Sequence, residues 1–174
     1  MKKNIILLFL ALALVLSLVS CTKSADEPEG MQRASSEDMD YNFFVPDSWK
    51  VETSTGVATA KYSDSILVNV SLMAATLENK SQSADEYFNE YTEKFASVYE
   101  DFNIESRDET LLDSHAAKKF VYTGKVTGVE AKYMQVVCIK SGIVYIFTYT
   151  ASPDKYDKYL PDAEKMLENF SFKS

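Results

Sequence analysis

Apolar residues form their densest pattern over residues 130–151, where the sequence reads EAKYMQVVCIKSGIVYIFTYTA. Two extended segments separated by Lys140-Ser141-Gly142 predict a pair of long antiparallel strands. The second segment is apolar on both faces, with Ile143, Tyr145, Phe147 and Tyr149 on one face and Val144 and Ile146 on the other. A strand that is apolar on both sides has to be covered on both sides. The hairpin is therefore predicted to lie in the middle of a sheet, with packed layers above and below.

Shorter extended segments predict further strands around this hairpin. Residues 42–45 precede the turn residues Pro46-Asp47-Ser48, and residues 66–72 contain a clean alternation that is typical of one buried face. Trp49, the single tryptophan, is predicted to anchor the core or a sheet edge rather than to hold a ligand. The remaining predicted strands are residues 49–53 and 58–62, joined at 54–56, and residues 104–112 and 116–126, joined at 113–115.

Two amphipathic helices complete the pattern. Ser83-Ala84-Asp85-Glu86 is a capping box, and apolar residues then recur at spacings of three and four, which predicts a helix over residues 84–99. Ser152-Pro153 predicts a second helix start, and helical spacing continues from there to Phe170. Pro161 lies inside this helix, so a kink or two short helices are expected. Residues 170–172 are expected to dock in an extended conformation.

The first 20 residues carry a different pattern. Lys2 and Lys3 precede an uninterrupted apolar run at residues 5–16, which has the length of a secretory signal and is short for a permanent membrane span. Leu18-Val19-Ser20-Cys21 follows and resembles the bacterial lipobox. That resemblance implies signal-peptidase cleavage between Ser20 and Cys21. It also implies a mature chain that begins at a diacylglycerol-modified Cys21 and is held in the lipid bilayer by its acyl chains.

Composition divides the rest of the chain into a linker and one domain. Residues 22–40 lack aromatic residues and periodicity, so residues 21–40 are predicted to be the lipidated Cys and a flexible tether. Residues 41–174 have the length of one domain. The formal net charge is −8, and the signal segment holds two Lys and no acid, which leaves −10 on the mature chain. Such a charge disfavours nucleic acid and anionic membrane surfaces as partners.

The sequence offers no recognisable catalytic set, cofactor site or metal site. Asp113-Ser114-His115 contains the residue types of a triad, but consecutive residues point apart, so a turn is the preferred interpretation. One His and one spare Cys do not make a zinc set in a single chain. Cys138 has no partner for a disulfide and is interpreted as an inert buried thiol. The paired carboxylates Asp108 and Glu109 are predicted to be exposed.

The order of these features resembles the PsbP-like superfamily. The resemblance consists of the lipobox, the tether, a Phe-x-x-Pro-x-x-Trp start at Phe43, Pro46 and Trp49, the Ser83–Tyr87 helix start, the long strands and the final Ser171-Phe172. This superfamily includes extrinsic proteins of photosystem II, bacterial lipoproteins and a branch that binds a small GTPase. The resemblance implies an α+β fold, an α/β/α sandwich in which a central antiparallel sheet of about six strands is flanked by helices. It also implies a non-enzymatic binding or accessory role.

Three functional hypotheses follow. The first is a membrane-anchored lipoprotein that acts as an accessory or binding module for a protein partner on the extracytoplasmic side of the cell envelope. The second is a lipoprotein that binds a small ligand or cation in a pocket between sheet and helix. An envelope enzyme ranks third, because the sequence names no nucleophile and base.

Overall fold

The computed structural model describes residues 27–54, 56–95 and 98–173. Its elements are β1 (Met31–Arg33), β2 (Tyr41–Asn42), β3 (Phe44–Pro46), β4 (Lys50–Ser54), β5 (Val57–Lys61), β6 (Val68–Thr76), α1 (Ala84–Phe95), β7 (Glu100–Leu112), β8 (His115–Val126), β9 (Val129–Lys140), β10 (Ile143–Ala151), α2 (Pro153–Glu168) and β11 (Ser171–Phe172). The centre of the fold is a seven-stranded antiparallel sheet in the order β4-β5-β6-β10-β9-β8-β7. Two short strand pairs, β1 with β3 and β2 with β11, lie outside this sheet.

The predicted central hairpin is confirmed. Strands β9 and β10 pair from Ile143↔Lys140 to Ala151↔Lys132, and β10 is the middle strand of the seven. Two-residue turns join β7 to β8, β8 to β9 and β9 to β10, and both residues of each turn have positive φ. That conformation gives the hairpin twist that matches the twist of the strands. The turn residues are Asp113-Ser114, Thr127-Gly128 and Ser141-Gly142.

Alternate residues of β10 belong to two different hydrophobic cores. Tyr145, Phe147 and Tyr149 lie in a core that contains residues of α2, which we call the α2 core. Val144 and Ile146 lie in a second core that contains residues of α1, which we call the α1 core. The α1 core consists of Leu77, Tyr87, Phe88, Phe120, Tyr122, Ala131, Tyr133, Val137, Val144 and Ile146. The predicted two-sided burial of this strand is therefore confirmed.

Helix α1 begins where the capping box predicts and ends earlier than predicted. The Ser83 Oγ accepts a hydrogen bond from the Glu86 N–H at 3.2 Å, and the Glu86 carboxylate accepts one from the Ser83 N–H at 2.8 Å. The described helix ends at Phe95 rather than Tyr99. Val98 is exposed, and Phe102 lies in β7 rather than on the helix. The helical spacing of these two residues was coincidental.

Helix α2 is one continuous helix from Pro153 to Glu168, so the alternative of two short helices is wrong. Pro161 is tolerated because it lies on the exposed side of the helix, where water can satisfy the carbonyl that loses its partner. Trp49 is 2% exposed in the α2 core, as predicted, and its indole N–H donates to Asp162 Oδ2 at 3.3 Å.

The structure corrects the boundary of the predicted tether. Met31 and Ala34 are buried in the α2 core, and β1 pairs with β3. Gly30, with φ of 73°, turns the chain into β1, and its carbonyl accepts from the Asp47 N–H at 3.0 Å. The packed domain thus includes residues 31–35 instead of beginning at Tyr41. Met31 and Ala34 are two apolar residues in an otherwise polar segment, and this pattern is too short to predict a strand.

The end of the chain docks in an extended conformation, as predicted. Strand β11 pairs with β2 through Ser171↔Asn42 and Phe172↔Tyr41. Phe170 is buried, and its ring lies 5.8 Å from that of Tyr41. Together the elements form an α+β fold that is mostly antiparallel sheet with two helices, and the sheet has seven strands rather than about six.

Candidate functional site

The predicted lipidation site lies outside the described residues. Ser20, Cys21 and the whole signal segment of residues 1–20 belong to the part of the chain that the structure does not describe, so cleavage and acylation remain predictions. In the described ranges, neither helix combines the length and apolar character needed to span a bilayer.

The residue types of a triad lie in a turn, as predicted. Asp113 and Ser114 form the β7–β8 turn, and the His115 Nδ1 lies 2.7 Å from the Asp113 carbonyl oxygen. The Asp113 carboxylate accepts a hydrogen bond from the Phe172 N–H at 2.8 Å, and the His115 ring packs edge-on against Phe172 at 5.0 Å. These groups hold the end of the chain and do not form a nucleophile, base and orienter.

The other candidate residues from the sequence are Cys138, Asp108 and Glu109. Cys138 is fully buried in the α2 core, and burial raises the pKa of its thiol to about 11, against the opposing effect of Lys140. A thiol in that state is protonated at neutral pH and a poor nucleophile. Asp108 and Glu109 are exposed, as predicted; Asp108 accepts from the Ser106 hydroxyl at 2.9 Å, and Glu109 pairs with Lys118.

A groove between the sheet and α1 is the best candidate for a binding site. We call it the α1 groove; it encloses about 350 Å³. The end of β6, the following loop, Val144 of β10 and one face of α1 form its walls. The lining residues are Ala75, Thr76, Leu77, Glu78, Asn79, Gln82, Tyr87, Glu90, Tyr91, Lys94 and Val144.

Two tyrosines form the aromatic wall of the α1 groove. Tyr87 and Tyr91 are one helical turn apart, and their ring centroids lie 4.6 Å from each other with planes tilted by 33°. Tyr87 is 8% exposed and belongs to the α1 core, whereas Tyr91 is half-buried at the edge of that core. Burial raises the pKa of Tyr87, and its hydrogen bond with Tyr91 and the nearby Glu90 carboxylate add to the rise. The Tyr87 side chain is therefore neutral at neutral pH.

Charged groups form the rim of the α1 groove. The Glu90 carboxylate accepts from the Gln82 amide at 3.0 Å and lies 3.3 Å from the Lys94 ammonium. The hydrogen bond from Gln82, and then Lys94, hold the pKa of Glu90 below its usual value, so this carboxylate is ionised at neutral pH. The Lys94 ammonium also lies 5.4 Å from the centre of the Tyr91 ring. Within the described residues the Glu78 carboxylate has no hydrogen-bond or ion-pair partner.

A second hollow is larger but less suited to a charged ligand. It encloses about 550 Å³ beside the β5–β6 connection and is lined mainly by polar residues. Its charges are matched internally, because Lys61 pairs with both Glu52 and Asp64, and Lys50 pairs with Asp64. It also contains no aromatic side chain among its lining residues. We therefore give more weight to the α1 groove, in spite of its smaller volume.

Sequence reasoning missed the residues that line the α1 groove. The sequence predicts a helix over residues 84–99, which includes Glu90, Tyr91 and Lys94, but it does not mark these residues as part of a binding site. The sequence signal was the pair of i, i+4 contacts on α1, one between tyrosines and one between opposite charges. In residues 27–54, 56–95 and 98–173, no three His, Cys, Asp or Glu side chains are grouped so that they could hold a metal ion.

The combination of this sheet, its two helices and the docked chain end is a PsbP-like fold. One solved structure with this arrangement is CyanoP, the cyanobacterial PsbP of Synechocystis sp. PCC 6803. It is 13% identical to this chain with a TM-score of 0.63, and the match covers 86% of this chain and 96% of CyanoP. No family model matches the sequence, and a search of curated proteins found no match.

Two further solved structures are similar. LpqN of Mycobacterium tuberculosis, described as involved in cell envelope biogenesis, is 14% identical with a TM-score of 0.54, over 83% of this chain and 91% of LpqN. PA94 of Pseudomonas aeruginosa is 17% identical with a TM-score of 0.53, over 78% of this chain and 92% of PA94. Identities in this range establish the shared fold and leave function to be argued from the chain itself.

Proposed function

We propose that this protein is a membrane-anchored bacterial lipoprotein whose domain is a non-enzymatic accessory or binding module of the cell envelope. The observation that carries the proposal is the order basic start, apolar run, Leu18-Val19-Ser20-Cys21, followed by an acidic packed domain. Met31 is the first described residue that belongs to a hydrophobic core, so residues 22–30 separate the packed domain from an anchor at Cys21. Residues 22–30 then serve as the tether.

Two kinds of likeness support the envelope role. LpqN shares the fold and is described as involved in cell envelope biogenesis. CyanoP shares it as well, and the sequence resembles a superfamily that contains bacterial lipoproteins. The non-enzymatic part of the proposal is supported by the surroundings of His115 and Cys138, which serve the chain end and the α2 core.

Lipidation is tested by growing cells that express the chain with an alkyne analogue of palmitate. We expect label on the wild-type protein and none on a Cys21→Ala variant, which keeps the rest of the chain. The unlabelled variant should also retain its signal segment and migrate as the longer form. Equal labelling of both proteins, or none on either, would contradict the anchor.

The accessory role is tested by cross-linking in cells, followed by purification from membranes. A single partner recovered with the lipidated form and absent with Cys21→Ala is the expected result. This comparison controls for contacts made after lysis, because both forms carry the same domain. Recovery of no partner with either form would count against the accessory role.

A second candidate function is binding of a small ligand or cation in a pocket between sheet and helix. The α1 groove is the specific observation that favours it, because it combines an aromatic wall with carboxylates on its rim. A thermal-shift screen tests it, since a ligand at a hundred times its Kd stabilises the folded chain by about 2.7 kcal/mol. A broad screen of amines, metal ions and sugars without any shift would exclude it.

The full α/β/α sandwich belongs to the same proposal. It is supported by the membership of the cores, with α1 residues in one and α2 residues in the other. In that architecture the sheet supports α1, which forms one wall of the α1 groove.

A further inference from the structure

We propose that the α1 groove binds the guanidinium or ammonium group of a basic side chain that a protein partner presents. This inference rests on the proposed function as a binding module and adds the chemistry of the partner. Its occupant is an Arg or Lys side chain, which reaches Tyr91 and the carboxylates of Glu78 and Glu90 at the groove rim.

The protein already places one cation at this position. The Lys94 ammonium lies 5.4 Å from the centre of the Tyr91 ring and 3.3 Å from the Glu90 carboxylate. A ring face and an adjacent carboxylate are the two groups that recognise organic cations, by cation–π attraction and by a charge-assisted hydrogen bond. Lys94 is exposed, so its contacts are weak and can be replaced by an incoming cation.

The charge on the groove favours an added cation. Of its charged lining residues, Glu78 and Glu90 are acidic and Lys94 is basic, so one negative charge remains. That charge is available at Glu78, which has no ionic partner in the described part of the chain. The domain as a whole is acidic, and its field attracts basic surfaces and raises their rate of encounter.

The size of the groove fits one side chain better than a large ligand. Its volume of about 350 Å³ is near the lower end of the range for small-molecule pockets. Leu77, Val144 and the buried Tyr87 supply apolar surface for the aliphatic stem of Arg or Lys, while the charged group stays at the rim. A side chain delivered by a folded partner also loses less entropy than an untethered ligand.

The test is isothermal titration calorimetry on the full-length chain in non-ionic detergent, with acetyl-tetra-arginine amide as the probe. Glu90→Gln removes one charge inside the groove, and Glu93→Gln removes the same charge from the same helix outside the lining residues. We expect about tenfold weaker binding for Glu90→Gln and less than a twofold change for Glu93→Gln. Equal losses in the two variants would show general acidity instead of a site and would overturn the proposal.

A second pair of variants tests the internal cation. Lys94→Met should bind the probe about three- to fivefold more tightly, because the competing ammonium is gone. Lys158→Met is the matched control, since the Lys158 ammonium also lies over a tyrosine ring, at 4.9 Å from Tyr159, but on α2. Equal gains in both variants, or a loss in Lys94→Met, would overturn the proposal. Circular dichroism melts of all four variants establish that they are folded.

The outcome separates this inference from the proposed function. A wild-type chain that does not bind the probe overturns the cation site, whereas acylation of Cys21 and a cross-linked partner would still support the lipoprotein role. An unacylated chain that binds the probe at the α1 groove would support the site and contradict the anchor.

Discussion

The absence of a side chain at Gly124 makes room for Tyr99. A Cβ built on Gly124 would lie 2.8 Å from Tyr99 Cδ1 and 3.1 Å from Tyr99 Cβ. The Tyr99 ring instead lies against β8 and β9, edge-on to Tyr122 at 6.4 Å and to Tyr133 at 5.5 Å. An aromatic ring that covers a strand glycine is a known way to shield exposed backbone. Tyr99 is therefore part of the sheet packing rather than of the helix.

Gly124→Ala is expected to lower the free energy of unfolding by about 1–3 kcal/mol, because the Tyr99 ring has to move. The direction of this change is informative, because in an ordinary strand position Ala stabilises the folded protein relative to Gly. Urea titration followed by circular dichroism measures the change. The penalty should shrink in a Tyr99→Ala background, since the two residues touch. Additive effects in the double variant would contradict the contact.

At the scale of an element, α1 depends on its reciprocal cap. Removing the Ser83 hydroxyl by Ser83→Ala should lower the free energy of unfolding by about 1 kcal/mol, because the Glu86 N–H loses its acceptor. Chemical denaturation at pH 7 measures this. Ser81→Ala is the control, because Ser81 lies in the preceding turn and its hydroxyl does not cap the helix. If Ser81→Ala lowered the free energy of unfolding as much as Ser83→Ala does, the capping role of Ser83 would be contradicted.

The contribution of the same cap to the free energy of unfolding depends on pH. The hydrogen bonds from the Ser83 backbone and side chain lower the pKa of Glu86. A lowered pKa means that the carboxylate contributes stability above its unfolded pKa of about 4.3 and loses that contribution as the pH falls through the folded value. The advantage of wild type over Glu86→Gln should therefore be present at pH 7 and vanish in stronger acid. A difference that is constant with pH would contradict this.

Elements with local signals could be predicted, and elements defined by distant contacts could not. The turn at Ser141-Gly142 and the cap at Ser83 depend on residues that are close in sequence, and both are confirmed. Strand β1 forms because β3 provides its partner, and Tyr99 packs against Gly124 of β8 rather than lying on α1. Neither partner can be identified from spacing alone, since sequence periodicity records which face is apolar and not what covers it.

The candidate site shows the same limit. The predicted helix over residues 84–99 contains Tyr91, Glu90 and Lys94. The sequence could not show that the loop carrying Leu77 and Glu78 returns to face them. A groove made by two segments requires their relative position, which depends on packing of α1 against β8 and β9.

At the scale of the whole molecule, one sheet supports both hydrophobic cores. Phe88 stacks on Phe120 at 3.5 Å in the α1 core, whereas Trp49 lies in the α2 core on the other face. Because β10 contributes alternate residues to both, loss of one core removes support from the other. We expect the domain to unfold as one cooperative unit.

Phe88→Ala tests this cooperativity. The truncation should lower the free energy of unfolding by about 3–5 kcal/mol, as is usual for a buried phenylalanine. The fluorescence of Trp49, in the opposite core, should report the same lower urea midpoint as circular dichroism. Val98→Ala is the control, since Val98 is 62% exposed and should leave both midpoints unchanged. A Trp49 transition that stays at the wild-type midpoint would show that the cores unfold separately.

The pairing of β11 with β2 also has a consequence for the order of folding. Ser171 and Phe172 form a ladder with Asn42 and Tyr41, although Asn42 and Ser171 are 129 positions apart in the chain, and the Lys173 N–H reaches the Asp40 carbonyl at 2.9 Å. Bringing such distant segments together costs chain entropy, which contacts in the rest of the fold have to offset. We therefore expect this ladder to form after the hairpins of the central sheet, whose strands are neighbours in the chain.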